Sequence, residues 1–160
     1  MNFQTSTSPA VSPGPRRRSP DNPLRVLVVD DVKDVSDSLG MLLELSGYKV
    51  ASAYDGANAL GLLDDFRPEA VIVDLKMPRM TGLELVRTLR RHPLTQNATI
   101  VAITGDPSEQ QRWGAEEAGV DHFFAKPVSL LKLYNAIGQP IGRLEDALPN
   151  PGATWPCSSS

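Results

Sequence analysis

Between Arg25 and Ile137, short apolar runs alternate five times with amphipathic stretches, and the connections between them are only a few residues long. Runs of consecutive Val, Ile, Leu and Ala read as strands buried on both faces, and residues recurring at three- and four-residue spacing read as helices that cover those faces. The strands are expected over Arg25 to Val29, Tyr48 to Ala53, Val71 to Asp74, Thr99 to Ile103 and Asp121 to Ala125. The second is the most mixed in composition and suits a sheet edge. Strict alternation with short connections implies a doubly wound α/β fold, a five-stranded parallel sheet with helices on both faces and right-handed crossovers.

The helices carry their own punctuation. The first runs from Val32 to Ser46 with Val35, Leu39 and Leu42 at helical spacing, and Gly47 stops it. The second starts at Asp55 and continues to Arg67-Pro68 as one helix. The third opens with a capping box, Thr81-Gly82-Leu83-Glu84, and ends before Pro93. In the fourth, Asp106 is expected to cap, Pro107 to hold the first helical position and Gly119 to terminate. Ser129 caps the last helix, which carries Leu130, Leu133 and Ile137.

A chain of 160 residues has room for one domain with a core that requires neither disulfides nor metals. Net charge −3 argues against nucleic acid and membrane surfaces as partners. Cys157 is the only cysteine, and no run of about 18 apolar residues could cross a bilayer, so a cytoplasmic protein is expected. Residues 1–23, rich in Pro, Ser and Thr, are expected to be disordered, with Arg16-Arg17-Arg18 a solvated basic run. The folded domain is expected over residues 24–143 and a loose tail over 144–160, where Trp155 is the one residue suited to tack it to the body.

In a doubly wound sheet all strands deliver their carboxyl ends to one edge, and that edge is where sites form. Here the first strand ends in Asp30-Asp31, the third in Asp74, the fourth in Thr104-Gly105 and the fifth in Lys126-Pro127. Singly each has an ordinary reading: a helix cap, a turn hydroxyl, a solvated lysine. Together they make a site. Three crowded carboxylates repel unless a cation joins them, and a small cluster of hard oxygen ligands suits Mg²⁺. A metal-bound aspartate can act as nucleophile toward phosphorus, giving an aspartyl phosphate. The charge on the phosphoryl oxygens would be met by the metal on one side and Lys126 on the other, with Thr104 donating a hydrogen bond and Gly105 leaving room.

The quartet Asp30-Asp31, Val73-Asp74-Leu75-Lys76-Met77-Pro78, Ile103-Thr104-Gly105 and Phe124-Ala125-Lys126-Pro127 resembles the receiver domain of two-component response regulators, over roughly Leu24 to Arg143. The resemblance implies a flavodoxin-like fold with strand order 2-1-3-4-5 and a cis Lys126-Pro127 peptide. It implies Asp74 as phosphoacceptor, and Asp31, Asp30, Asp74 and the main-chain carbonyl of Lys76 as metal ligands. Thr104 and Lys126 then sense the phosphoryl group, and Phe123 stands where the family's aromatic switch stands, with no tyrosine hydroxyl. Lys76 and Asp106 border the site. His92 and His122 fall outside it and are read as surface or partly packed, and Trp113 is read as partly buried.

The resulting expectation is a signalling switch that takes a phosphoryl group from a sensor histidine kinase or histidine phosphotransfer protein and loses it by self-dephosphorylation, with no external substrate turned over. Phosphorylation would repack the face made by the fourth helix, fifth strand and last helix for a downstream protein, the chain being a monomer or weak dimer. No output domain is recognised after the last helix, so the chain reads as a stand-alone receiver, a phosphorelay intermediate or a piece of a hybrid kinase. Two alternatives are an aspartyl-phosphate-forming phosphatase and a receiver-like module that binds partners without phosphorylation. The haloacid-dehalogenase-like pattern needs a second acid two residues after the nucleophile, and Asp30-Asp31-Val32-Lys33-Asp34 lacks that spacing.

Overall fold

The computed structural model describes residues 21–138. The expectations for residues 1–20, for the tail beyond residue 138 and for Trp155 and Cys157 lie outside the described residues. The sheet has five parallel strands, β1 (Arg25–Val29), β2 (Lys49–Ala53), β3 (Ala70–Asp74), β4 (Thr99–Thr104) and β5 (His122–Ala125), in the order β2-β1-β3-β4-β5. This is the flavodoxin-like order, with β2 at an edge as its mixed composition suggested. The pairing aligns Val29 with Ala53 and Val73, and Asp74 with Ile103, so the carboxyl ends come level along one edge.

Two cores follow from the alternation of side chains along each strand. Leu27, Val29, Val71, Val73, Ile100 and Ala102 face one way, under the helices α2 (Gly56–Gly61), α3 (Leu63–Phe66), α4 (Gly82–Arg91) and α5 (Glu109–Ala118). Val26, Val28, Ile72, Val101 and Ile103 face the other way, under α1 (Lys33–Leu45) and α6 (Leu130–Ile137). β3, in the middle of the sheet, is buried at all five positions. Full burial of a Val or Ile side chain stabilises by roughly 1.5–3 kcal/mol, so the strand that carries Asp74 is held more firmly than the edges.

Four local expectations are corrected. The second helical stretch is two short helices meeting at Leu62, whose N–H bonds three residues back to Ala59; Gly61, a poor helix former, precedes the break. The cap of α5 is Ser108, whose hydroxyl accepts from the Gln111 N–H at 3.3 Å, so Pro107 precedes the helix. Asp106 instead accepts from the Ser108 N–H. On α1 only part of the apolar stripe is buried: Leu39 packs against the core beside the buried Ser36, Gly40 and Leu43, while Val35 and Leu42 are 43% and 46% exposed. Gly40 favours this orientation, because a Cβ there would sit 3.1 Å from Ser52 Oγ, so the helix lies closest on β2 at its glycine. Trp113 is 78% exposed on α5, not partly buried, because that helix turns only Ala115 and Ala118 fully into the core.

Other ends behave as read. Thr81 and Glu84 form the full capping box, Ser129 caps α6, and Gly47 and Gly119 take positive φ after α1 and α5. No helix among the described residues is long and apolar enough to cross a membrane.

Candidate functional site

β1, an interior strand paired with β2 and β3, runs directly into Asp30, whose N–H is held by the Ala53 carbonyl at 3.1 Å. Its carboxylate is 5% exposed and accepts from the Val32 N–H at 3.0 Å. Asp74 repeats the device one strand over: 7% exposed, it accepts from the Lys76 N–H at 3.0 Å. In both, a backbone N–H two residues on fixes one carboxylate oxygen and leaves the other free for the site.

Those free oxygens converge on one cation. Lys126 Nζ lies 3.2 Å from Asp30 Oδ2 and 3.2 Å from Asp74 Oδ2. Burial draws Lys126 toward its neutral form, but Asp74 and Asp30 outweigh it and hold the ammonium above its ordinary range. The Lys126 backbone is itself fixed, its N–H donating to the Thr104 carbonyl at 2.8 Å, and the peptide bond to Pro127 is cis. Asp31, exposed, completes a trio in which one carboxylate oxygen from each residue lies within 4.8 Å of the others. Two buried carboxylates and one exposed one, with a single ammonium among them, leave a negative excess facing solvent, which fits a hard divalent cation such as Mg²⁺.

The other predicted residues border this centre. Thr104 is fully buried, and its hydroxyl accepts from the Asp106 N–H at 3.1 Å, turned toward the loop after β4. The Lys76 ammonium extends over the same edge to within 3.8 Å of Asp106. Phe123 is half-buried against the α2 to α5 core, with the Arg112 guanidinium 5.5 Å from its ring centre. Gly105 has open space where a Cβ would lie. His92 is half-buried with Nδ1 accepting from the Leu94 N–H, and exposed His122 stacks on Phe124, both away from the acidic trio as expected.

One residue escaped sequence reasoning. A Cβ at Gly82 would fall 2.5 Å from the Asp74 carbonyl oxygen and 2.6 Å from Leu75 Cα, both backbone atoms. The start of α4 therefore presses directly on the segment carrying Asp74, and only glycine permits it. A glycine just inside a strong capping box, where helix propensity disfavours it, was the available signal.

Beside the acids an apolar groove of about 420 Å³ runs between α1 and the segment leading into α6. Val35, Leu39, Pro127 and Val128 line it, and Asp30, Asp74 and Lys126 close one end.

A family model for the response regulator receiver domain matches residues 26–138. The chain belongs to that family. The receiver domain is 40% identical over 111 residues to Response regulator MprA of Mycobacterium sp. strain KMS, an alignment covering 69% of this chain and 47% of the relative. The chain thus spans about half the length of the curated relatives it matches. Among solved structures it resembles the Vibrio cholerae chemotaxis protein CheY4, with TM-score 0.68 and 29% identity over 72% of this chain and 98% of that one. It also resembles a Burkholderia pseudomallei response regulator carrying a phosphorylated aspartic acid, a calcium ion and citrate, with TM-score 0.66 and 28% identity over 78% of this chain and 69% of that one. Receiver domains work in phosphorylation-based two-component signalling, and they generally bind Mg²⁺ at an acidic pocket of this kind.

Proposed function

We propose that Asp74 accepts a phosphoryl group from a phosphohistidine on a sensor kinase or phosphotransfer protein, and that the chain is a self-resetting switch. The observation that carries this reading is the Lys126 ammonium bridging two buried carboxylates from different strands. The phosphorylated aspartic acid and divalent cation of the Burkholderia neighbour support it by likeness.

In the transfer, the Asp74 oxygen not held by the Lys76 N–H attacks phosphorus. The new P–O bond forms as the P–N bond to the donor imidazole breaks, and the imidazole leaves with the electron pair. Mg²⁺ held by Asp30, Asp31, Asp74 and the Lys76 carbonyl would supply charge neutralisation at the phosphoryl oxygens. Lys126, released from Asp74 Oδ2, meets another of those oxygens. Thr104 would turn its hydroxyl from the Asp106 backbone to the phosphoryl group, and Phe123 would shift with it. Reset is hydrolysis of the acyl phosphate, with Lys76 and Asp106 governing the approach of water.

The apolar groove beside Lys126, with Val35 exposed at its rim, suits docking of a donor helix next to the acceptor. The face formed by α5, β5 and α6 is proposed for the downstream protein. Incubation with acetyl phosphate and MgCl₂ followed by intact mass tests the reading. It requires one phosphoryl adduct on the wild type that Asp74→Asn lacks, and equal adducts on both would remove it.

A further inference from the structure

Among the described residues, an indole and three carboxylates on α5 stand without partners. Trp113 is 78% exposed, and Glu109, Glu116 and Glu117 stand four before, three after and four after it, on the same side of the helix. Among the described residues none of these three glutamate side chains makes a hydrogen bond or ion pair. Beside them, between α4 and α5, lies a groove of about 770 Å³ lined by Leu83, Asp106, Glu109, Trp113 and Glu117, with no lysine or arginine in its wall. Indole faces attract cations, and a guanidinium can stack flat on the ring while its edge donates to carboxylates. The surface therefore selects arginine.

The sequence holds one run of three basic residues, Arg16-Arg17-Arg18, which has no part in the phosphoacceptor chemistry. We propose that the Trp113 face of α5 is the docking surface for this basic run of the same chain. Charge complementarity chooses the occupant, and geometry permits it. The Leu24 carbonyl is bonded to the Lys49 N–H at the amino edge of the sheet, and α5 ends at that same edge, where the Asp121 N–H bonds the Ile100 carbonyl. Two strand spacings, one layer separation and five residues of helix put Trp113 roughly 20 Å from Leu24. The six to eight residues from Leu24 back to Arg18 and Arg16 span about 20–28 Å when extended. The docked run would cover part of the face proposed above for a downstream protein, so a partner there has to displace it. The docking itself does not depend on phosphorylation.

The test is Trp113 fluorescence in the full chain with Trp155→Phe, which leaves Trp113 as the only indole. Replacing Arg16, Arg17 and Arg18 together by alanine is expected to red-shift the emission and raise acrylamide quenching about twofold, as the ring loses its cover. Glu109→Lys with Glu117→Lys should give the same shift, as should about 0.5 M NaCl on the parent. Identical emission and quenching in the triple-alanine variant would overturn the proposal. So would a shift that disappears on dilution over about a hundredfold in protein concentration, since the occupant would then be another copy.

Discussion

Replacing Lys126 by methionine isolates the electrostatic core of the site, because it keeps most of the stem and removes the charge. Two carboxylates, Asp30 and Asp74, 5% and 7% exposed, would lose the ammonium that each holds at 3.2 Å. At an effective dielectric of about 20 each pair is worth roughly 5 kcal/mol of Coulomb energy before desolvation. Removing one member of a fully buried pair costs about 3–5 kcal/mol, while exposed pairs contribute about 0–1 kcal/mol. The Lys126 side chain is 36% exposed, so the figure must be discounted for solvent screening, to about 1–3 kcal/mol. Urea denaturation without divalent cation measures it directly. The same experiment with saturating MgCl₂ should recover most of the loss, because a cation on the acidic trio replaces the missing charge and stabilises the state that binds it. The variant should also bind Mg²⁺ more tightly than the parent, since the ammonium and the metal compete for the same oxygens. A loss below about 0.5 kcal/mol without Mg²⁺, or an equal loss with and without it, would refute this account of the site.

Gly82→Ala is expected to cost about 1–3 kcal/mol or more in urea denaturation and to slow acetyl-phosphate labelling, because its Cβ would overlap the Asp74 backbone. Ser108→Ala should destabilise by about 1 kcal/mol through loss of the α5 cap, whereas Asp106→Ala should leave that helix end intact; equal losses would return the cap to Asp106. Tyr48, whose hydroxyl donates to the Gly138 carbonyl at 2.6 Å, is raised above the ordinary phenol range by burial and then by Tyr134. The folded state thus holds that proton more tightly than the unfolded one. Its contribution is complete below about pH 10 and fades as pH rises above it, so Tyr48→Phe should flatten the alkaline limb of a stability–pH curve.

Much of this was legible in the residues because it rests on short-range rules. A strand buried on both faces has to be apolar throughout, so β1, β3 and β4 stand out from their neighbours and their last residues mark the edge where the site forms. Asp30, Asp31, Asp74 and Lys126 could be gathered from three strand ends without coordinates, and the structure brings them together. What escaped depended on distances between elements. The buried face of α1 includes Gly40, close against Ser52, a proximity that no helical periodicity reports. The demand for glycine at position 82 comes from a backbone eight residues away in sequence. Ser108 prevailed over Asp106 as cap because the helix begins only at Glu109, and the Asp106 carboxylate is already engaged by the Ser108 N–H in the turn before it.

The central claim is that Asp74, and no other carboxylate of the trio, receives the phosphoryl group. Borohydride reduction of the acetyl-phosphate-treated protein, followed by digestion and tandem mass spectrometry, reads the position directly, because an aspartyl phosphate is reduced to homoserine. The account predicts homoserine at position 74, dependent on Mg²⁺ and absent from untreated protein. Homoserine at Asp30 or Asp31 instead, or none at any aspartate, would contradict it.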